Sequence, residues 1–144
     1  MISILAEESL REVCAIEQHS LDEYESEMPR WCKGCGDHGV LAALQRVLRT
    51  NNLEPENVVS VSGIGCSSRL PHYLNTYGFH GIHGRALPIS TGVRLARPEL
   101  PVITIMGDGD CFSIGGNHWL HANRYNINAV LLVLDNKVYA LTKI

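Results

Sequence analysis

Two sets of residues in this chain have the type and spacing for chemistry. The first is an oxygen set. Asp108 stands inside Gly107-Asp108-Gly109-Asp110, and Asn136 follows 28 residues after it. Asp108 offers a carboxylate and Asn136 a neutral amide oxygen. Hard oxygens of this kind suit Mg²⁺, which takes few protein ligands and completes its octahedron with phosphate and water. The second is a sulfur set. Cys32 and Cys35 form a CxxC pair in Trp31-Cys32-Lys33-Gly34-Cys35-Gly36, and Cys66 follows Gly63-Ile64-Gly65. CxxC puts two thiolates on one small arc, which suits a soft metal or a redox dithiol. A zinc ribbon would want a second such pair, and there is none. A thioredoxin-type site would want the pair between a strand and a helix, yet no strand pattern precedes Trp31. Cys66 is either a small buried residue or a third thiolate. Three thiolates with a fourth from elsewhere would hold an iron–sulfur cluster.

These residues need elements to position them. Val102-Ile103-Thr104-Ile105-Met106 is an apolar run that reads as a short buried strand, and the glycines behind it let the backbone turn sharply and lie close to a ligand. The segment from Asn128 to Leu134 reads as a second such strand, ending in Asp135-Asn136. Val58 to Ser62 is β-branched and reads as a third, running into Gly63-Ile64-Gly65-Cys66-Ser67. In a parallel sheet these tips share one edge, where ligands of open α/β sheets collect. Helices are predicted after the CxxC turn through about Arg49, from His83-Gly84-Arg85-Ala86-Leu87-Pro88 to about Ala96, and from Ile114-Gly115-Gly116-Asn117 to about Tyr125. The amides that open the last of these are expected to face phosphate. The fold class is therefore α/β, three-layered, with a mostly parallel sheet. Pro71 to Phe79 reads as irregular. His72 and His80 receive no role, and His118 and His121 are read as packing residues. Residues 1–28 read as an N-terminal appendage, with a short helix over Ala6 to Gln18 and an exposed acidic lead-in over Leu21 to Glu27. Residues 29–144 read as the α/β domain.

Composition excludes several functions. A 144-residue chain can bury one real core. A net charge of −3, with no basic stripe, argues against nucleic-acid binding. No apolar run reaches the ~18 residues of a membrane span. The first residues lack a basic start and a long apolar region, so a cytoplasmic protein with reduced or metal-bound cysteines is expected, and five cysteines is an odd count.

Gly-Asp-Gly followed somewhat under thirty residues later by Asn resembles the thiamine diphosphate signature. With WCxGCG, GIGCSSR, HGRALP and DNxVYxLTK, the stretch from Trp31 to Lys143 resembles the β subunit of the 2-oxoacid:ferredoxin oxidoreductases, most closely its 2-oxoglutarate (KorB-like) branch. The resemblance implies that Asp108, Asn136 and the Val138 carbonyl hold Mg²⁺. It implies cofactor contacts at Ile64, Gly65, Cys66, Ser67, His83, Gly84, Gly107, Gly109, Asp110, Ala140 and Leu141. Arg69 would face the substrate carboxylate, with Leu141 shaping the pocket. Cys32, Cys35 and Cys66 correspond to three ligands of a 4Fe–4S cluster, and the fourth family cysteine has no match here. Lys33, Ala140 and Ile144 replace a common Pro and two common Gly residues.

By the same resemblance the protein is a thiamine diphosphate-binding domain, incomplete at its C-terminus because the family subunit is about twice as long. Its implied reaction is oxidative decarboxylation of 2-oxoglutarate, or another 2-oxo acid, with coenzyme A. The products are acyl-CoA and CO₂, and electrons pass through the cluster to ferredoxin. The implied partner is an α subunit, which supplies the glutamate that activates the cofactor. A non-oxidative thiamine diphosphate-dependent decarboxylase or synthase is the alternative enzyme, and a non-catalytic remnant is the alternative to an enzyme.

Overall fold

The computed structural model describes residues 19–137. Four strands form one parallel sheet. They are β1 (Val59–Ser62), β2 (Tyr77–His80), β3 (Val102–Gly107) and β4 (Val130–Leu134), in the spatial order β2-β1-β3-β4. Every residue of β1 is buried, and so is β3 from Val102 to Met106. That is why both read as continuous apolar or β-branched runs rather than alternating ones: a central parallel strand is covered on both faces. The expected neighbours are in place, with Ser62 opposite Ile105 and Gly107 opposite Leu134.

Two cores flank the sheet and make three layers. On one face α1 (Gly36–Thr50) lays Leu41, Leu44 and Leu48 against Ile103 and Ile105. On the other face α2 (Ala86–Ala96) packs Ala86 and Leu87 with Val59, Val61 and Met106, while Trp119 and Ala122 of α3 (Gly116–Tyr125) close in from the side. Each fully buried aliphatic side chain contributes about 1.5–3 kcal/mol. Inside the second core the Ser90 and Thr104 hydroxyls satisfy each other at 2.7 Å.

Three expectations need correction. The stretch read as irregular, Pro71 to Phe79, takes in the end of a 3₁₀ turn (Ser67–His72) and then enters β2, whose four residues are all exposed. An edge strand with no buried side leaves no hydrophobic period to read. The acidic lead-in is exposed over most of its length, but Tyr24 is wholly buried, and its hydroxyl donates to the Leu53 carbonyl at 2.8 Å. One aromatic anchor ties the segment to the core. Finally, His121 is exposed and stacks on Tyr125 rather than packing inward. The short helix over Ala6 to Gln18, Cys14 included, lies outside the described residues.

Candidate functional site

Because the strands are parallel, their C-terminal tips lie at one edge. A cleft of about 320 Å³ opens there. Its walls include Ile64, Gly65, Cys66 and Ser67 after β1, Gly107 to Asp110 after β3, Leu134 to Asn136 at the end of β4, His83, and the start of α1. Asp108 and Asn136, from the tips of adjacent strands, face the same space. The Asp135 carboxylate accepts a hydrogen bond from the Lys137 amide at 3.1 Å, and Lys137 has φ +56. This is an Asx-type turn. It holds Asn136 at the apex.

Asp110 binds three loops together. It is 2% exposed. Its Oδ1 accepts from the Gly84 amide at 2.7 Å and from the Ile64 amide at 3.3 Å, and it meets His83 Nδ1 at 2.6 Å. A Cβ added at Gly63 would overlap the same carboxylate, so the glycine before Ile64 is what lets Asp110 sit so close. The acidic side chain expected at the ligand loop therefore turns inward and organises the loops around the cleft. The chain also coils earlier than expected. A π-helical turn runs from Gly109 to Ile114, directly off the tip of β3, and α3 follows it. Gly109, not Gly115 or Gly116, brings backbone to the cleft, which corrects the phosphate-facing role given to the start of α3. π turns concentrate at functional sites.

Asp37 escaped the sequence reading. It stands two residues after the CxxC pair in the first turn of α1, where an acid ordinarily complements the helix dipole. In the fold it is 9% exposed and lines the cleft beside Cys35 and Cys66. Only its burial distinguishes it from a surface cap, and burial was not readable from one helical turn.

The CxxC arm and the Cys66 loop are joined. Trp31 is buried, its Nε1 donates to the Cys66 carbonyl at 2.7 Å, and its ring meets Tyr73 edge-on. Burial pushes the Cys66 thiol up from its ordinary value, and Asp37, Cys35 and Cys32 push the same way while Arg69 opposes them. The three cysteines are thus electrostatic neighbours. Even so, among the described residues no group of three or more His, Cys, Asp or Glu is placed to hold a metal ion, so the sulfurs do not form a ligating set as they stand. The oxygen pair fares better against the implied Mg²⁺ and diphosphate. Two hard oxygens share a cleft roomy enough for phosphate and water, which matches how Mg²⁺ is usually held. Cys111 belongs to neither set. It is buried, and desolvation pushes its thiol up to about 11, which keeps it inert.

Arg69 is half-buried on the 3₁₀ turn beyond Ser67, beside the Cys66 thiol, and is not among the residues lining the cleft. Gly84 lies behind His83, buried under the π turn. Val138, Ala140 and Leu141 lie outside the described residues.

Known proteins are similar to this chain in sequence and fold. Residues 63–144 match the family described as thiamine pyrophosphate enzyme, C-terminal TPP binding domain. The 2-oxoglutarate oxidoreductase subunit KorB of Mycobacterium tuberculosis is 56% identical over 114 residues, covering 79% of this chain and 31% of that protein. Subunit beta of the 2-oxoacid:ferredoxin oxidoreductase 1 of Aeropyrum pernix is 50% identical over 113 residues, covering 78% and 36%. Among solved structures, the 2-oxoglutarate:ferredoxin oxidoreductase from Magnetococcus marinus, with 2-oxoglutarate, coenzyme A and succinyl-CoA bound, superposes with a TM-score of 0.85 at 42% identity. It covers 90% of this chain and 45% of that one. The chain thus spans about a third of the curated relatives it matches. The cleft walls that follow β1, β3 and β4, with the Gly-Asp-Gly turn and Asn136, lie within the stretch that the family model covers, and on these grounds the chain belongs to the thiamine pyrophosphate enzyme family, with its matched stretch similar to the β subunits of 2-oxoacid:ferredoxin oxidoreductases.

Proposed function

We propose that this chain is the cofactor-holding, β-type part of a 2-oxoacid:ferredoxin oxidoreductase. The whole enzyme would decarboxylate 2-oxoglutarate oxidatively and transfer the acyl group to coenzyme A, with electrons leaving to ferredoxin. An α subunit would complete the site, and the cytoplasm would be its compartment. The observation that carries this reading is the pairing of Asp108 and Asn136 at the tips of adjacent parallel strands, across a cleft.

The chain's own residues have definite tasks in it. Asp108 and Asn136, with the Val138 carbonyl, would hold Mg²⁺ and through it the diphosphate. The glycines of the Gly107–Asp110 turn let backbone approach that diphosphate closely. Ile64, Gly65, Cys66 and Ser67, which wall the cleft, would lie beside the ring. Asp37, buried and negatively charged, stands where a hydrogen-bond donor or a positive charge on the ligand would be welcome, since a buried carboxylate is costly without one. When bound, thiamine diphosphate supplies the electron sink that a 2-oxo acid needs to lose CO₂. Cys32, Cys35 and Cys66 are proposed as three ligands of a 4Fe–4S cluster, with the fourth from outside this chain.

Arg69 is proposed to bind the distal carboxylate of 2-oxoglutarate, with Leu141 beside it. A guanidinium grips a carboxylate with two parallel hydrogen bonds. A monoacid such as pyruvate has only the carboxylate that must leave, and gripping that group would oppose its loss. In the assembled enzyme, Arg69→Ala is expected to lower kcat/KM for 2-oxoglutarate roughly ten- to a hundredfold more than for pyruvate, because charge-assisted contacts are worth about 1.5–3 kcal/mol. Anaerobic ferredoxin reduction, dependent on coenzyme A, measures both substrates. Equal losses would assign Arg69 to the interface or the common chemistry, and no 2-oxo acid-dependent reduction by the wild type would sink the proposed reaction.

A further inference from the structure

Asp110 and His83 do more than join loops, because their bond decides which ring nitrogen of His83 carries hydrogen. Asp110 Oδ1 receives two backbone N–H groups, from Gly84 at 2.7 Å and Ile64 at 3.3 Å. An oxygen already facing two donors is an acceptor and has no place for a proton of its own. The His83 Nδ1 that meets the same oxygen at 2.6 Å must therefore be the donor. A neutral imidazole with hydrogen on Nδ1 has a bare lone pair on Nε2. This is the reverse of the form a free histidine side chain prefers in water. The carboxylate is almost wholly buried, with 1% of its side chain exposed, so water does not compete for the bond. The ring itself is 31% exposed and lines the cleft. The chain on either side is held as well: Arg85 returns a hydrogen bond to the His83 carbonyl at 3.3 Å, and Gly84 is buried against the π turn.

We infer that Asp110 is a positioning residue that fixes Nδ1–H as the tautomer of the neutral His83 ring, so that Nε2 of that ring is offered to the cleft as a hydrogen-bond acceptor. An acceptor repels phosphate oxygens and welcomes an N–H or O–H group. The part of the ligand it faces is therefore an amino or hydroxyl donor on the cofactor or substrate, not the diphosphate. The ligand half of this inference rests on the proposed thiamine diphosphate function; the protonation half does not.

The two halves are separable by experiment. Nitrogen-15 spectra of the protein labelled at histidine, taken near pH 8.5, well above the ordinary histidine value of about 6.5, report which ring nitrogen is protonated. His83→Gln removes one set of signals and so assigns His83. The expected result is a protonated Nδ1 and a bare Nε2, and a ring protonated on Nε2 would overturn the inference. Thiamine diphosphate and Mg²⁺ added to the assembled protein should then shift the Nε2 resonance. His83→Ala should raise the thiamine diphosphate Kd about tenfold. Asp110→Asn keeps an oxygen for the two amides and loses the charge that orders the ring. It should weaken binding in the wild-type background and add nothing in the His83→Ala background, since it acts through the ring. Full additivity would make Asp110 merely structural and overturn the positioning role. Cofactor binding with Nε2 unmoved would overturn the ligand half while sparing the proposed function. A wild type that binds no thiamine diphosphate would sink the proposed function and leave the protonation result standing.

Discussion

Asp108→Ala is expected to abolish measurable binding of thiamine diphosphate with Mg²⁺ in the assembled enzyme, a loss of more than about a hundredfold, whereas Asn136→Ala should weaken it by about tenfold. The asymmetry comes from charge. Bound cations are often the largest local charges in a site, and a carboxylate ligand neutralises one full unit where an amide contributes only a dipole. Outer-shell partners of metals already cost about 10–100-fold when lost, so an inner carboxylate should cost more. The substitution is also clean. Asp108 sits at the start of the π turn and is half-exposed, so its removal leaves no cavity in the core. Calorimetric titration and thermal melting of the same samples would separate the two effects. The melt should be unchanged within about 0.5 kcal/mol of stability. An Asp108→Ala protein with wild-type cofactor affinity would remove the Mg²⁺ assignment.

Gly84→Ala should be a severely damaging single methyl. Gly84 has φ +70, a left-handed conformation that costs other residues about 1–2 kcal/mol. A Cβ there would lie 2.8 Å from the Gly115 amide nitrogen and 2.9 Å from the Ile114 carbonyl carbon. Both are backbone atoms of the π-turn junction, so no side chain can swing aside. Overpacking of this sort costs about 1–3 kcal/mol. The sum is about 2–5 kcal/mol, a large part of the roughly 5–15 kcal/mol that holds a domain together, and a fall of roughly 5–20 °C in Tm. The Gly84 amide would also be drawn off Asp110, so cofactor affinity should fall with stability. Gly92→Ala is the control. It lies inside α2 with open space where the methyl would go, and it should hold or raise Tm, since alanine is the better helix former by about 1 kcal/mol. A Gly84→Ala protein as stable as wild type would mean that the loop junction is not packed as described.

The contrast between these positions shows what a linear sequence can carry. β1 and β3 were legible because both faces of each are buried, which leaves an unbroken apolar run, and the cleft loops were legible because glycines and polar residues sit where those runs stop. β2 was not legible, because its four residues are exposed and it is a strand only by pairing with β1. Asp108 and Asn136 could be paired because each stands where an apolar run ends, at a distance that resembles the thiamine diphosphate signature. Asp37 could not, since burial by tertiary packing is what turns a helix-capping acid into a cleft wall. Asp110 lay within the legible motif, yet the direction of its side chain depends on Gly63 and Gly84, which come from two other loops.

The central claim is that this cleft is a metal-dependent thiamine diphosphate site. The most direct test is a calorimetric titration of the wild-type protein, assembled with the proposed α-type partner, with thiamine diphosphate, first with Mg²⁺ and then with the metal chelated. Saturable binding of one cofactor per chain, lost on chelation, is the predicted result. No binding with Mg²⁺ present, or binding that is indifferent to the metal, would contradict it.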